Sequence, residues 1–239
     1  MTYIHNHQML RLSPAPCGCQ LEHCATCGVK HSIIKCDHHT PGRISGPALY
    51  LKGMHNHDSR GIPRHRDICK ELTGVLDSID LRIPEARNFR DRALDIGAGT
   101  GIYAPLLMNL GYTYIPLEPD PWASAYIEGG YADVIRSPFL STEFPEKFSF
   151  IMCAHVLEHL DTPDRAIEKV YEILLPDCAV VFIIPDDRDL FNPDHLWFFN
   201  RGTFLSWVEE AGFTVMGSAV HPAEREDFIY VYAKKGSHD

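Results

Sequence analysis

Residues 94–101 read LDIGAGTG, an acid at Asp95 followed by glycines at positions 97, 99 and 101. Glycines after a short apolar run make a turn that a ligand can approach closely, as happens beyond the first strand of an open α/β sheet. The dinucleotide fingerprint spaces its glycines as GxGxxG and cradles a pyrophosphate at a helix N-terminus. Here the spacing is GxGxG, and the carboxylate just before it would repel a pyrophosphate but suits an ammonium group. A second acid, Glu118, ends the next apolar run, where a carboxylate can accept both hydroxyls of a ribose. An amino group at one end and a nucleoside at the other describe S-adenosylmethionine.

A second concentration of chemistry lies near the N-terminus. Five of the eight cysteines fall between Cys17 and Cys36, in CGCQLEHCATCGVKHSIIKCDHH, residues 17–39. The Cys24-x2-Cys27 pair offers two thiolates on one turn, and a second pair completes a tetrahedral zinc site. The best quartet is Cys19, Cys24, Cys27 and Cys36, with Cys17 or His38 as alternates. A segment this poor in apolar side chains cannot build a core, so zinc would itself supply folding energy. The same cysteines also echo a plant-type ferredoxin, although there the fourth cysteine lies much farther along, and free thiols are a third reading. The remaining cysteines, Cys69, Cys153 and Cys178, read as buried apolar side chains.

These groups need elements to hold them. The chain has 239 residues, 45% of them hydrophobic, enough for one α/β domain and a small appendage. Apolar runs of strand length alternate with amphipathic stretches: RALDIG, YTYIPLE, ADVIR, FSFIMCAH and AVVFIIP read as strands, with helices between most of them. A helix ending near Gly212 precedes two closing strands, TVMGSAV and DFIYVYAKK, which no helix separates. The pattern predicts a doubly wound, Rossmann-like, seven-stranded and mostly parallel sheet with an antiparallel edge hairpin, plus a small N-terminal metal-binding segment. The expected divisions are an arm over 1–16, the cysteine segment over 17–39, a linker over 40–62 and the main domain over 63–239. Helical spacing begins at Pro63, and Thr162 is the expected cap of the helix that Pro163 opens.

The net charge is -10, but residues 1–71 hold 9 Lys/Arg against 5 Asp/Glu, so the rest carries the acidity. That balance argues against a whole-surface nucleic-acid binder. The longest apolar run, AVVFII, is too short to span a bilayer, and the first residues do not look like a signal peptide, so the expected setting is cytoplasmic with no membrane partner.

With these motifs in order, residues from about 90 to 235 resemble a class I S-adenosylmethionine-dependent methyltransferase of the broad small-molecule branch. LDIGAGTG matches the family's first motif, PLEPD its ribose-binding acid, and CAHVLEHLDTP the segment after the fourth strand. DHLWFFNRGTFLSWVEEAGF matches its late His-Leu-aromatic stretch, whereas LLPDCAV departs from the Pro-Gly-Gly turn usual in relatives. The resemblance implies that Asp95, Gly97, Ala98, Gly99 and Gly101 hold the methionine moiety and that Glu118 and Pro119 meet the ribose. It places Asp133 and Val134 at the adenine, and Cys153 to His155 near the transferable methyl.

Methyl transfer from a sulfonium asks the protein for alignment and, where the nucleophile must lose a proton, for a base. His155, His159 and His195 are the candidates, with Asp187 and Asp194 as orienting acids; His159 also reads as a structural histidine. Trp197, Phe198 and Phe199 read either as the wall of an acceptor pocket or as core. His57 and Arg60, in HNHDSRGIPRHR, could bind an anionic acceptor, or belong to a solvated linker. Small-RNA terminal 2′-O-methyltransferases and some quinone O-methyltransferases resemble the chain in an ExxEH motif with a distant His, where they bind a divalent ion. Here the first acid of that motif is His155, followed by Glu158, His159 and His195. The function expected is methyl transfer to an oxygen or nitrogen of a small molecule. The rivals are an RNA methyltransferase that uses the basic N-terminus, and a non-catalytic binding protein.

Overall fold

The computed structural model describes residues 9–11, 20–24, 30–34, 91–186, 195–221 and 228–236. Cys17, Cys19, Cys27, Cys36, His38, the linker with His57 and Arg60, the helix expected from Pro63, and Asp187 and Asp194 lie outside the described residues. The chain forms two compact units, Arg43–Pro138 and Met1–Gly42 with Phe139–Asp239.

Three short strands come first in the chain: β1 (Met9–Arg11), β2 (Gln20–Cys24) and β3 (Lys30–Ile34). In the unit Arg43–Pro138, β4 (Arg92–Ile96) lies parallel to β5 (Thr113–Leu117), in register from Arg92↔Thr113 to Ile96↔Leu117. Ala93, Leu94 and Ile96 are fully buried, as the apolar run requires. Helix α1 (Ala104–Asn109) connects the two strands, and Gly111, at φ 87°, ends it. Helix α2 (Pro121–Glu128) follows β5. The strand expected at ADVIR is reduced to a single parallel bridge, Ile135↔Leu117. Asp133 is a poor strand former and Pro138 cannot donate to a ladder, so the pairing stops after one residue. The described residues thus give six long strands in the methyltransferase-like region where seven were expected.

In the other unit, β6 (Phe148–Ala154) is buried along its whole length and runs parallel to β7 (Leu174–Pro185). The strand order continues through β10 (Phe228–Lys235) to β9 (Phe213–His221), both pairings antiparallel, so the expected edge hairpin is present. Helix α3 (Pro163–Ile173) buries Ala166, Ile167 and Val170. Thr162 does occupy its N-cap, but its hydroxyl makes no capping bond. Lys235 Nζ reaches across to the carbonyls of Tyr171 and Leu174 at 2.6 and 3.0 Å, satisfying the helix end with a cation from the last strand. Helix α4 (Arg201–Glu210) is capped by Asn200, whose Oδ1 accepts from Thr203 N at 2.9 Å.

The N-terminal strands form a separate small sheet of this unit. Its order is β1-β2-β3-β8, where β8 is Trp197–Phe198, and every pairing is antiparallel. Lys30 pairs with Phe198 and His31 with Trp197. Part of the expected loose arm is therefore a strand, Met9–Arg11. The ends of β2 stand about 13 Å apart at strand rise, whereas all ligands of one zinc lie about 2.3 Å from it. A quartet drawing on both ends of β2 would have to span that distance. No helix among the described residues is long and apolar enough to cross a membrane.

The departure at LLPDCAV has a backbone counterpart. Between Phe148↔Leu174 and Phe150↔Ala179 the register shifts, and within this bulge Asp177 adopts φ 58°, a conformation glycine takes without cost. Its exposed contact to Lys234 Nζ, at 4.0 Å, contributes little. Asp177→Gly is expected to raise stability by about 0.5–1 kcal/mol, read as a higher urea midpoint at unchanged m-value.

Candidate active site

The turn after β4 is made by three residues in the left-handed region, Gly97, Gly99 and Gly101, at φ 67°, 57° and 77°. At Gly101 a side chain would also meet Ile127 Cγ1 at 3.1 Å and the Tyr131 ring at 3.3 Å, so glycine is needed there on both counts. The amides of Gly97 and Ala98 bond to the Leu117 carbonyl at 2.8 and 3.1 Å, which ties the turn to the end of β5. Glu118 stands at that end, and its two oxygens accept from Gly99 N and Asp120 N, both at 2.8 Å. Asp120 in turn caps α2 through Ala123 N at 2.9 Å. Burial raises the Glu118 pKa, and the two backbone N–H groups oppose the shift. Glu118 N donates to the Ile135 carbonyl at 3.1 Å, which brings the exposed Asp133 and the half-buried Val134 beside the strand end. Ala98 is buried and Pro119 half-buried.

Asp95 is 1% exposed, and its Oδ2 accepts a 2.8 Å hydrogen bond from the Tyr114 hydroxyl. Burial pushes its carboxyl up to about 7; the Tyr114 bond opposes this and the Glu118 charge adds to it. The Tyr114 phenol is itself driven far above its ordinary range by burial and by Asp95. Tyr114 and Asp120 were not singled out from the sequence. Their signal lies in strand register and cap geometry, which spacing alone does not reveal.

The histidine cluster is built on the end of β6. His155 leaves the strand at φ 55°, an uncommon conformation for a residue other than glycine, and its amide bonds to the Ile183 carbonyl at 2.8 Å. A 3-10 turn over Leu157–His159 then turns Glu158 into the core, where it is fully buried. His155 Nδ1 lies 3.3 Å from Glu158 Oε1 and His159 Nε2 lies 3.9 Å from it. The Leu196 amide donates to the Glu158 carbonyl at 2.7 Å and brings in His195, whose ring meets that of His159 edge-on at 4.9 Å. Burial alone would raise the Glu158 pKa, but His155, His159 and His195 outweigh it and hold the carboxyl at about 2. One ligand atom each from Glu158, His159 and His195 lie within 4.8 Å of one another, close enough to share a metal ion. Both Glu158 oxygens are buried, and with the imidazoles of His159 and His195 they make a donor set that fits a divalent ion.

Three other expected residues are core. The Cys153 side chain is buried, which leaves its backbone as the part that a ligand could meet. Phe198 and Phe199 are buried too, and Phe199 packs edge-on against Phe204 and Trp207. Trp197 is half-buried, stacked on Phe199 and pinned by its indole N–H to the Leu160 carbonyl at 2.8 Å.

The glycine turn after β4, with Asp95 before it and Glu118 at the end of β5, is the arrangement expected of a class I methyltransferase. A family model described as a methyltransferase domain matches residues 64–217, more than half of the chain, and the chain belongs to that family, the S-adenosylmethionine-dependent methyltransferases. A ubiquinone biosynthesis O-methyltransferase of Pseudoalteromonas translucida is 27% identical over 157 residues, covering 55% of this chain and 66% of that protein. The chain spans less than two thirds of the length of the curated relatives it matches. Among solved structures, an S-adenosylmethionine-dependent methyltransferase from Clostridium acetobutylicum shares the fold at TM-score 0.62 and 11% identity, covering 79% of this chain and all 100% of that one. Magnesium protoporphyrin IX methyltransferase from Synechocystis, solved with S-adenosylmethionine bound, does so at TM-score 0.57 and 12% identity, covering 72% and 80%.

The raised carboxyl of Asp95 has a consequence for stability. Its ordinary value is 3.8 and its folded value about 7, so between those limits the native state keeps a proton that the unfolded chain releases. Stability therefore falls as pH rises through that window. Asp95→Asn, with no charge to bury, is expected to be more stable than the parent at pH 8 by about 2–4 kcal/mol. The difference should vanish near pH 4, and denaturant unfolding at the two pH values measures both.

Proposed function

We propose that the chain transfers the methyl group of S-adenosylmethionine to an oxygen or nitrogen of a small-molecule acceptor, with a hydroxyl favoured. The observation that carries this reading is His155 Nδ1 at 3.3 Å from the buried carboxylate of Glu158. A buried acid on one ring nitrogen fixes the tautomer and leaves the other nitrogen to take a proton. Asp95 and the Gly97–Gly101 turn are assigned to the methionine moiety, Glu118 to the ribose, and Asp133 with Val134 to the adenine. The cofactor supplies an electrophilic methyl on a sulfonium. His155 would take up the proton that the acceptor hydroxyl loses as it is methylated. The O-methyltransferase name of the relative in Pseudoalteromonas is consistent with this acceptor class.

A second reading rests on the donor set of Glu158, His159 and His195. These three would hold a divalent ion, which would polarise a bound hydroxyl. His155 stands where related motifs carry an acid, so the set is richer in nitrogen and better suited to zinc, cobalt or iron than to magnesium. The zinc proposed for the cysteine segment is supported by the spacing of those cysteines alone.

Transfer of labelled methyl from S-adenosylmethionine to a panel of phenols and catechols, with RNA in parallel, tests the main reading. Labelled small phenols are expected. His155→Asn suits the left-handed backbone and should cut turnover by about 10²–10⁴-fold while leaving cofactor affinity unchanged. Label in RNA alone, or full activity of the variant, would overturn the acceptor class or the base respectively. Activity lost on chelation and regained with zinc or cobalt would favour the second reading.

A further inference from the structure

We infer that Tyr114 is a positioning residue of the cofactor site: its hydroxyl holds one oxygen of Asp95 and thereby presents the other to the ammonium group of the ligand. The inference rests on the assignment of Asp95 to that ammonium. It starts from strand register. In the parallel pair β4/β5, Tyr114 lies opposite Ala93 and Pro116 lies opposite Asp95. Residues two apart share a face of a strand, so Tyr114 is the diagonal neighbour of Asp95 on the same face, within reach of a long aromatic side chain. The hydroxyl bridges that diagonal to Oδ2 at 2.8 Å.

Both partners are inside the fold, Tyr114 at 5% exposure and Asp95 at 1%. A phenylalanine would fill nearly the same volume, so packing does not require the hydroxyl, and a buried hydroxyl without a partner is costly. Its acceptor is the acid that the cofactor reading needs in its charged form. Among the described residues, the groups that act on Asp95 are Tyr114 and Glu118, and Tyr131 and Glu118 act in turn on Tyr114; no cation is among them. A neutral donor steadies the carboxylate without neutralising it, which leaves its charge available to the ligand. An arginine at the same place would hold the acid more strongly and compete with the ammonium.

The test is the affinity of Tyr114→Phe and of the parent protein for S-adenosylhomocysteine and for methylthioadenosine, by calorimetry from pH 6 to pH 9. Both ligands carry the nucleoside, and methylthioadenosine lacks the amino-acid portion. The variant is expected to bind S-adenosylhomocysteine about tenfold more weakly at pH 7, to recover much of the loss by pH 9, and to bind methylthioadenosine as the parent does. In an Asp95→Asn background the same change should cost nothing further. Equal loss for both ligands at every pH would reduce Tyr114 to a packing residue and overturn the inference, as would an unchanged affinity for S-adenosylhomocysteine. A parent protein that binds neither ligand would overturn the cofactor assignment and the inference with it, an outcome distinct from a failure of Tyr114 alone. An unchanged melting temperature of the variant certifies that the fold is intact.

Discussion

Every part of the candidate site depends on how a carboxylate is kept charged away from water. A buried acid must be answered by hydrogen bonds or by opposite charge, or it takes up a proton. The chain gives three different answers. Asp95 has a phenol, Glu118 has two backbone amides, and Glu158 has a ring of histidines. The first leaves the acid near neutrality and ready to gain from a cation. The second ties the acid to the turn that it serves. The third makes the acid a fixed anion around which imidazoles are arranged.

The two ends where these acids matter share a backbone device. Just beyond β4 and just beyond β6, the chain enters the left-handed region, at Gly97 in one case and at His155 in the other. Glycine does this freely, while histidine does so at a cost that the surrounding contacts must meet. The amide of His155 on the Ile183 carbonyl and its ring on Glu158 are such contacts. Strain is held at a position where a side chain is wanted, and avoided where the backbone itself serves.

Much of the fold could be read in advance from particular residues. FSFIMCA and AVVFIIP gave strands buried on both faces, Gly111 and Gly212 ended helices, and the lack of a helix between the last two apolar runs gave the edge hairpin. ADVIR misled, since an apolar pair beside Asp133 cannot sustain a ladder that Pro138 soon stops. In the site, Asp95, the glycines, Glu118 and the histidines were legible because motif spacing carries them. Tyr114 was not, because it is found through the register of β4 on β5, which depends on packing between strands and not on any run along one. The pairing of β3 with β8 was equally hidden, since no local pattern joins residue 31 to residue 197.

That pairing separates what is inherited from what folds together. The family match covers residues 64–217, yet β8, which follows His195 directly, has its sheet partner at residues 30–34, and β9 reaches past 217 to pair with β10. A fragment trimmed to the shared family region would therefore carry open strand edges beside His195, along β7 and on what is left of β9, and bare edges are templates for self-association. The region shared with the family is smaller than the set of strands that pair with one another.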